Sequence, residues 1–216
     1  MKMKPNTFIL FYAIFVLFLS LISSSVNDSP KRENYIVLTY ANSFSLDNQI
    51  INAPNSSIDK LIIANTSYNG IHYDVKENDT LEIHFKEVMT NLSRLFRSGG
   101  YTYHQKIKIA DFSHFDSSSV KDMSYLFDDC WGLTSVNFTN FDSSLVTDMS
   151  NMFSKCEALP NIDLTNLNTS SVRNMKEMFY YCRALTSANL SNIVTSSVTN
   201  MNYLFGACAK LNSVDL

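Results

Sequence analysis

One pattern of apolar and polar positions occurs four times between residues 112 and 216, with a period of 26 residues. In one copy, the segment 159–164 has the spacing LxxLxL with polar residues between, which predicts a short parallel strand with one buried side. The segment 172–182 then places apolar residues at i, i+3, i+7 and i+10, and Ser170 precedes it as a helix N-cap. Each repeat is therefore predicted to consist of a short strand, a turn, a short helix and a second turn.

Equivalent positions of the four repeats carry the same side chains. A period of this length is typical of stacked supersecondary units, in which each unit buries its apolar side against the next. We expect an α/β fold, a right-handed solenoid of the leucine-rich-repeat type, in which one copy alone is unfolded and four fold together. Identical residues 26 apart are Cys130, Cys156, Cys182 and Cys208, then Val120, Val146, Val172 and Val198, then Phe127, Phe153, Phe179 and Phe205.

Residues 34–87 are predicted to form a small β unit that covers the apolar end of the first repeat. The segments 35–40 and 58–64 are rich in β-branched and aromatic residues, and apolar and polar residues alternate at 81–85. Residues 88–111 contain the helical half of the pattern in degenerate form, at an offset of 31 residues, followed by the start of a strand. They are therefore predicted to be a degenerate first repeat.

Residues 1–25 have the pattern of a secretory signal peptide, because Lys2 and Lys4 precede the uncharged segment 8–22 and small residues follow it. An uncleaved membrane anchor is the alternative. However, the 15 uncharged residues span about 22 Å as a helix, less than a bilayer core of about 30 Å. Residues 26–33 are predicted to be a linker. The protein is expected to be secreted or displayed at the cell surface, and any contact with a membrane would be through the leader.

Charge and motifs exclude several classes of function. The formal net charge is −3 and the chain has no basic stripe, so nucleic acid is not expected as a partner. The sequence contains no nucleophile elbow, phosphate-binding loop or pair of carboxylates typical of an enzyme, and its four histidines lack the spacing of metal ligands. No catalytic residue, cofactor or metal site is therefore predicted.

The four cysteines would suggest two disulfide bonds in a secreted protein. If each cysteine ends a helix, however, its neighbour in the next repeat is about 8–10 Å away, which is too far for a disulfide bond. Zinc is excluded because ligands spread over three repeat steps cannot all reach one ion. We therefore predict a buried column of reduced thiols.

Several short segments of one repeat carry a resemblance to a known family. They are 140–144 (NFDSS), 146–150 (VTDMS), the pair Met152 and Phe153, and Cys156. Their combined spacing across four copies resembles the repeats of BspA-like leucine-rich-repeat surface proteins, which occur in mycoplasmas, lactobacilli and several eukaryotic microbes. This resemblance covers about half of the chain. It implies a surface solenoid used in adhesion or recognition, with no catalytic residues.

Polar residues that follow each predicted strand face outward and predict a ligand-binding column on the strand face. The alternative is that a solvated face is polar in any case. A second polar column lies in the first turn of each predicted helix, where it complements the helix dipole. The first column consists of Asp111, Asn137, Asp163, Asn189 and Asp215, and the second of Asp122, Asp148, Asn174 and Asn200.

The motif N-x-S/T, which accepts N-linked glycans in a eukaryotic secretory pathway, occurs several times. In such a pathway, sugar at Asn137 or Asn189 would block the ligand-binding column, and a bacterial source would ignore all of these motifs. The sites predicted to accept glycans are Asn55, Asn65, Asn78, Asn91 and Asn168.

These observations leave three hypotheses of function, none of them enzymatic. In the first, the protein recognises or adheres to a protein or glycan on a host or neighbouring cell through its repeat face. In the second it is structural, and molecules stack end to end because the segment 211–216 is a new strand with nothing after it. In the third, the chain is a piece of a longer repeat array.

Overall fold

The computed structural model of the chain describes several separate stretches of the sequence. Glu33–Leu216 form one compact unit, and the predicted signal peptide and linker, residues 1–33, lie outside the described residues. Within the described stretches, no helix has the length and apolar character needed to cross a membrane. These stretches are 34–40, 44–46, 58–63, 66–68, 73–75, 80–98 and 106–215.

The N-terminal part of the unit contains short strands that pair mainly in antiparallel fashion. They are β1 (Tyr35–Tyr40), β2 (Phe44–Leu46), β3 (Ile58–Ile63), β4 (Thr66–Tyr68), β5 (Tyr73–Val75) and β6 (Thr80–Phe85). β6 lies between β1 and β3, and β2 pairs with β5 in a separate sheet. Alternate side chains such as Leu38 of β1 and Leu81 of β6 are fully buried. This period of two confirms the alternation seen at 81–85.

Parallel strands begin each of the repeats, as predicted. They are β7 (Ile107–Asp111), β8 (Ser135–Asn137), β9 (Asn161–Asp163), β10 (Ser187–Asn189) and β11 (Ser213–Asp215). β7 connects the two parts of the unit, because it is antiparallel to β1 and parallel to β8. In the second sheet, Ala188 of β10 lies in register between Ile162 of β9 and Val214 of β11. Paired residues of parallel strands are therefore 26 positions apart.

Pro160 explains why the parallel strands fall into two sheets. Just before β8, β10 and β11, the N–H groups of Thr134, Thr186 and Asn212 donate to the carbonyl oxygen of the residue 26 positions earlier, at 2.8–3.0 Å. Pro160 occupies the same position before β9 and has no N–H group to donate. Among the described residues, β8 and β9 are accordingly not hydrogen-bonded neighbours.

The predicted short helix of each repeat is wrong. Residues 106–215 contain no α-helix, and the apolar segment after each strand forms consecutive turns. In the first repeat, the N–H groups of Met123, Tyr125 and Phe127 each donate to a carbonyl oxygen of the next repeat at 2.9 Å. An α-helix requires each N–H group to donate four residues back within its own segment, so amides committed to the next repeat exclude it. The fold is therefore mostly strand and turn, not α/β.

These turns require a left-handed backbone at two positions of every repeat, although glycine occupies neither position. Such values are uncommon for residues with a side chain, and here the hydrogen bonds between repeats hold the backbone in place. The first position is Tyr125, Asn151, Glu177 and Tyr203, with φ of 54–57°, and the second is Asp129, Lys155, Tyr181 and Ala207, with φ of 58–69°. The absence of glycine removed the usual sequence signal for these turns.

The interior contains columns of equivalent side chains, and the phenylalanine column is continuous over five residues. Neighbouring rings are stacked with centroids 5.2–5.8 Å apart. This step is close to the spacing of paired strands, about 4.8 Å. The prediction of 8–10 Å on the turn side is therefore wrong, because both sides of a repeat advance by similar steps. The stacked residues are Phe96, from the degenerate repeat, and Phe127, Phe153, Phe179 and Phe205.

Candidate recognition surface

The predicted ligand-binding column lies at the last residue of each parallel strand. Asp111 pairs with Asn137, and Asn189 pairs with both Asp163 and Asp215, so the parallel register brings these side chains into neighbouring positions. The column is interrupted between Asn137 and Asp163, where β8 and β9 are not paired in the described part of the chain. The assignment of a ligand to it remains a prediction.

Residues of this column also hold the turn that follows each strand. The Oδ1 atoms of Asp111, Asn137 and Asp163 accept the backbone N–H two residues later, at 2.8, 3.0 and 2.9 Å. The Asn137 amide in addition donates to Asp111 Oδ1 at 3.0 Å. Such turns are a common use of Asp and Asn outside helices. One oxygen of each side chain is therefore already engaged in the fold.

A shallow polar groove of about 540 Å³ lies over the sheet formed by β9, β10 and β11. Its polar lining consists of two rows of outward side chains, because residues two apart on a strand share a face. In the first row, the side chains of Asn161, Ser187 and Ser213 make no hydrogen bond within the described residues, so they are available to a ligand. The second row consists of Asp163, Asn189 and Asp215.

The helix-dipole explanation of the second polar column is wrong, because the helices are absent. These residues form isolated parallel bridges from one repeat to the next. Their Oδ1 atoms accept backbone N–H groups two residues later, for example that of Ser124 to Asp122 and that of Ser150 to Asp148, both at 2.8 Å. Asn174 also donates to Asp148 Oδ2 at 3.0 Å. The second column therefore holds the turns together.

The cysteines form a column of free thiols, as predicted. The helix spacing used to exclude disulfide bonds does not apply. Instead, each thiol donates to the carbonyl oxygen of a phenylalanine in the preceding repeat, with Cys156 Sγ 3.3 Å from the Phe127 oxygen and Cys182 Sγ 3.1 Å from that of Phe153. Within the described residues, no cluster of His, Cys, Asp and Glu could hold a metal ion.

Thiol labelling is expected to distinguish Cys208 from the other cysteines. Burial raises the pKa of Cys130 and Cys156 well above the usual value and also raises that of Cys182, so little reactive thiolate forms in the folded chain. Cys208 is only partly buried. With a disulfide reagent at about pH 8, Cys208 should react first and the others only after urea is added. Equal rates for all four thiols in the folded protein would contradict this.

An apolar cavity of about 290 Å³ lies between the last two repeats. Earlier repeats fill the equivalent space with aromatic rings, since Phe138 and Phe141 pack edge to face at 5.3 Å. The equivalent residues that line the cavity are smaller, Leu190 and Ile193. Thr195 is the single polar side chain in its lining. The space therefore follows from the loss of ring volume in this repeat.

Sequence reasoning missed a group of tyrosines on the turn side of the repeats. Tyr180, Tyr181 and Tyr203 are in mutual ring contact, and Tyr203 is 68% exposed. Equivalent positions of other repeats carry different side chains, for instance Ser154 in place of Tyr180 and Lys155 in place of Tyr181. The signal in the sequence was thus a departure from the repeat, whereas the analysis followed the positions that agree.

A comparison with protein-family models matches residues 74–215, or 142 of the 216 residues, to a family described as "Mycoplasma protein of unknown function, DUF285". The chain belongs to the DUF285 family. The match begins within β5 and ends at the last residue of β11, so it includes all of the parallel strands. No curated protein and no solved structure matches the chain.

The predicted glycosylation sites are divided by the limits of the described residues. Asn55 and Asn65 precede the DUF285 match, and these two and Asn78 lie outside the described residues. Asn91 and Asn168 lie within the match and are exposed, and the Oδ1 atom of each accepts a backbone N–H two residues later, at 2.6 and 3.1 Å. Glycosylation at all five sites remains a prediction.

Proposed function

We propose that this DUF285 chain is a non-enzymatic recognition or adhesion protein, secreted or displayed at a cell surface. Its partner would be a protein or glycan of a host or neighbouring cell. In this proposal the repeats stack as a solenoid related to the BspA-like leucine-rich-repeat proteins, with turns in place of helices. The observation that carries the proposal is the polar groove over β9, β10 and β11.

The chemistry of the groove supports hydrogen bonding to a large partner. Neighbouring strands present equivalent side chains at steps of about 4.8 Å, so a partner laid across them meets a regular series of groups. The first row offers the amide of Asn161 and the hydroxyls of Ser187 and Ser213, which both donate and accept. The second row adds the carboxylates of Asp163 and Asp215. Many such contacts on a rigid sheet can hold sugar hydroxyls or peptide groups.

The test is to fill the groove without disturbing its turns. We expect the triple variant Asn161→Arg, Ser187→Arg and Ser213→Arg to weaken binding by about tenfold, because long side chains would cover both rows. Residues of the second row stay unchanged in this variant, since their Oδ1 atoms hold the backbone. Binding is measured to cultured cells, to immobilised matrix proteins and to a glycan array.

A second triple variant, Leu145→Arg, Asn166→Arg and Ser196→Arg, is the matched control. It adds the same charge at exposed turn positions outside the groove, and its binding should stay within about twofold of the unchanged protein. Equal loss in both variants would show that charge, not the groove, is responsible. Absence of binding to cells, matrix proteins and glycans alike would refute the recognition function.

A further inference from the structure

The tyrosine cluster, defined as Tyr180, Tyr181 and Tyr203, is an ordered aromatic surface on the turn side. The ring centroids of Tyr180 and Tyr181 are 4.6 Å apart and their planes meet at 78°. Tyr203 contacts Tyr180 with centroids 6.3 Å apart, at 67°. The rings therefore form a corner with nearly perpendicular walls, and Tyr203 leaves most of its surface open to solvent.

Gly206 provides the space in which Tyr180 sits. The position equivalent to Tyr180 in the next repeat is Gly206, and a Cβ atom there would lie 2.8 Å from Cδ2 of the Tyr180 ring. Any larger residue at 206 would displace the ring. Desolvation by its neighbours, followed by the effect of Tyr181, raises the pKa of Tyr180. Its hydroxyl is therefore protonated at neutral pH and can donate a hydrogen bond.

Basic side chains border the tyrosine cluster. The Arg183 guanidinium lies 5.2 Å from the Tyr181 ring centroid and 3.5 Å from the Glu157 carboxylate. The Lys155 N–H donates to the Tyr180 carbonyl at 2.7 Å, which places this exposed lysine directly beside the cluster. Lys155 forms no ion pair with any carboxylate in the part of the chain that the structure describes. The surroundings of the rings thus favour a negatively charged ligand.

We propose that the tyrosine cluster binds an anionic saccharide, a polysaccharide that carries carboxylate or sulfate groups. A sugar ring would lie against the open ring of Tyr203 with its hydroxyls near those of Tyr180 and Tyr181, and its acidic group would face Lys155. The cluster has no apolar pocket for a leucine or phenylalanine side chain, and such a pocket is typical of peptide hot spots. This inference rests on the proposed recognition function but assigns it to a second surface.

The test measures binding of the full chain to immobilised heparin and hyaluronan, with neutral dextran and poly-glutamate as comparisons. We expect binding to at least one of the two anionic polysaccharides. Tyr203→Ala should weaken it by about tenfold and Lys155→Glu by a similar factor, since these changes remove the open ring and the free cation. Tyr203→Phe keeps the ring and should stay within about threefold of the unchanged protein.

The outcomes separate this inference from the groove. Both triple-arginine variants should bind the polysaccharide equally well, because they differ in the groove but not in charge. Loss in the groove variant alone would move the saccharide to the strand face and overturn the cluster proposal while supporting recognition. Equal binding to dextran, tighter binding to poly-glutamate, or no effect of Tyr203→Ala would each refute the anionic saccharide. Circular dichroism confirms that every variant is folded.

Discussion

Replacement of Phe153 by alanine is expected to lower the free energy of unfolding by about 3–5 kcal/mol, as is usual for a buried aromatic residue. Phe153 has no exposed surface, and its ring stacks between those of Phe127 and Phe179, with centroids 5.8 and 5.5 Å away. The substitution would leave a cavity in the middle of the phenylalanine column, where the hydrogen bonds between repeats prevent the backbone from closing it. Urea denaturation followed by circular dichroism gives the change.

Phe205 provides the matched control for this prediction. It is only partly buried and stacks on Phe179 at 5.2 Å. Its replacement by alanine should cost about half as much as that of Phe153, because less surface returns to water. If the two substitutions cost the same, the stack of rings does not contribute to stability in the way that the structure indicates.

Replacement of Ser143 by alanine is expected to cost about 1–3 kcal/mol, although it removes a single oxygen atom. The Ser143 hydroxyl donates to the Asn168 carbonyl at 3.0 Å and accepts the Asn168 N–H at 2.8 Å. Ser143 is 1% exposed, so no water can replace its hydroxyl without a rearrangement. The substitution therefore leaves two backbone groups of the next repeat without a partner. The same urea titration measures the loss.

The neighbouring repeat supplies the conservative variant. Thr169 occupies the equivalent position, and its hydroxyl accepts the Val194 N–H at 2.7 Å and donates to the Val194 carbonyl at 3.2 Å. Ser143→Thr should thus change stability by less than about 0.5 kcal/mol. A large loss with threonine would show that the alanine effect reflects the volume of the site and not its hydrogen bonds.

Much of the fold could be predicted from the period of 26 residues. Identical side chains at that interval predict parallel strands in register, and Ala188 does lie between Ile162 and Val214. The helices could not be distinguished from turns in this way. Both structures bury residues three or four apart, and the left-handed positions carry residues such as Tyr125 and Lys155 in place of glycine.

The candidate surfaces differ in how far the sequence could reveal them. The polar column follows directly from the strand register, but its part in the turns depends on backbone geometry that the sequence does not show. The tyrosine cluster depends on Tyr180 lying over Gly206, a contact between positions where the repeats disagree. A search for agreement between repeats finds the scaffold, and a search for disagreement is needed to find such a surface.

Pro160 gives the two edges of the repeat array different mechanical properties. On the turn side, hydrogen bonds and stacked rings run without interruption past this point, through Phe127 and Phe153. On the strand side, β8 and β9 can move apart without breaking a hydrogen bond of the sheet. The protein therefore has a seam along one edge and a spine along the other, so opening there would tilt its last repeats, and with them the groove, about the column of phenylalanines.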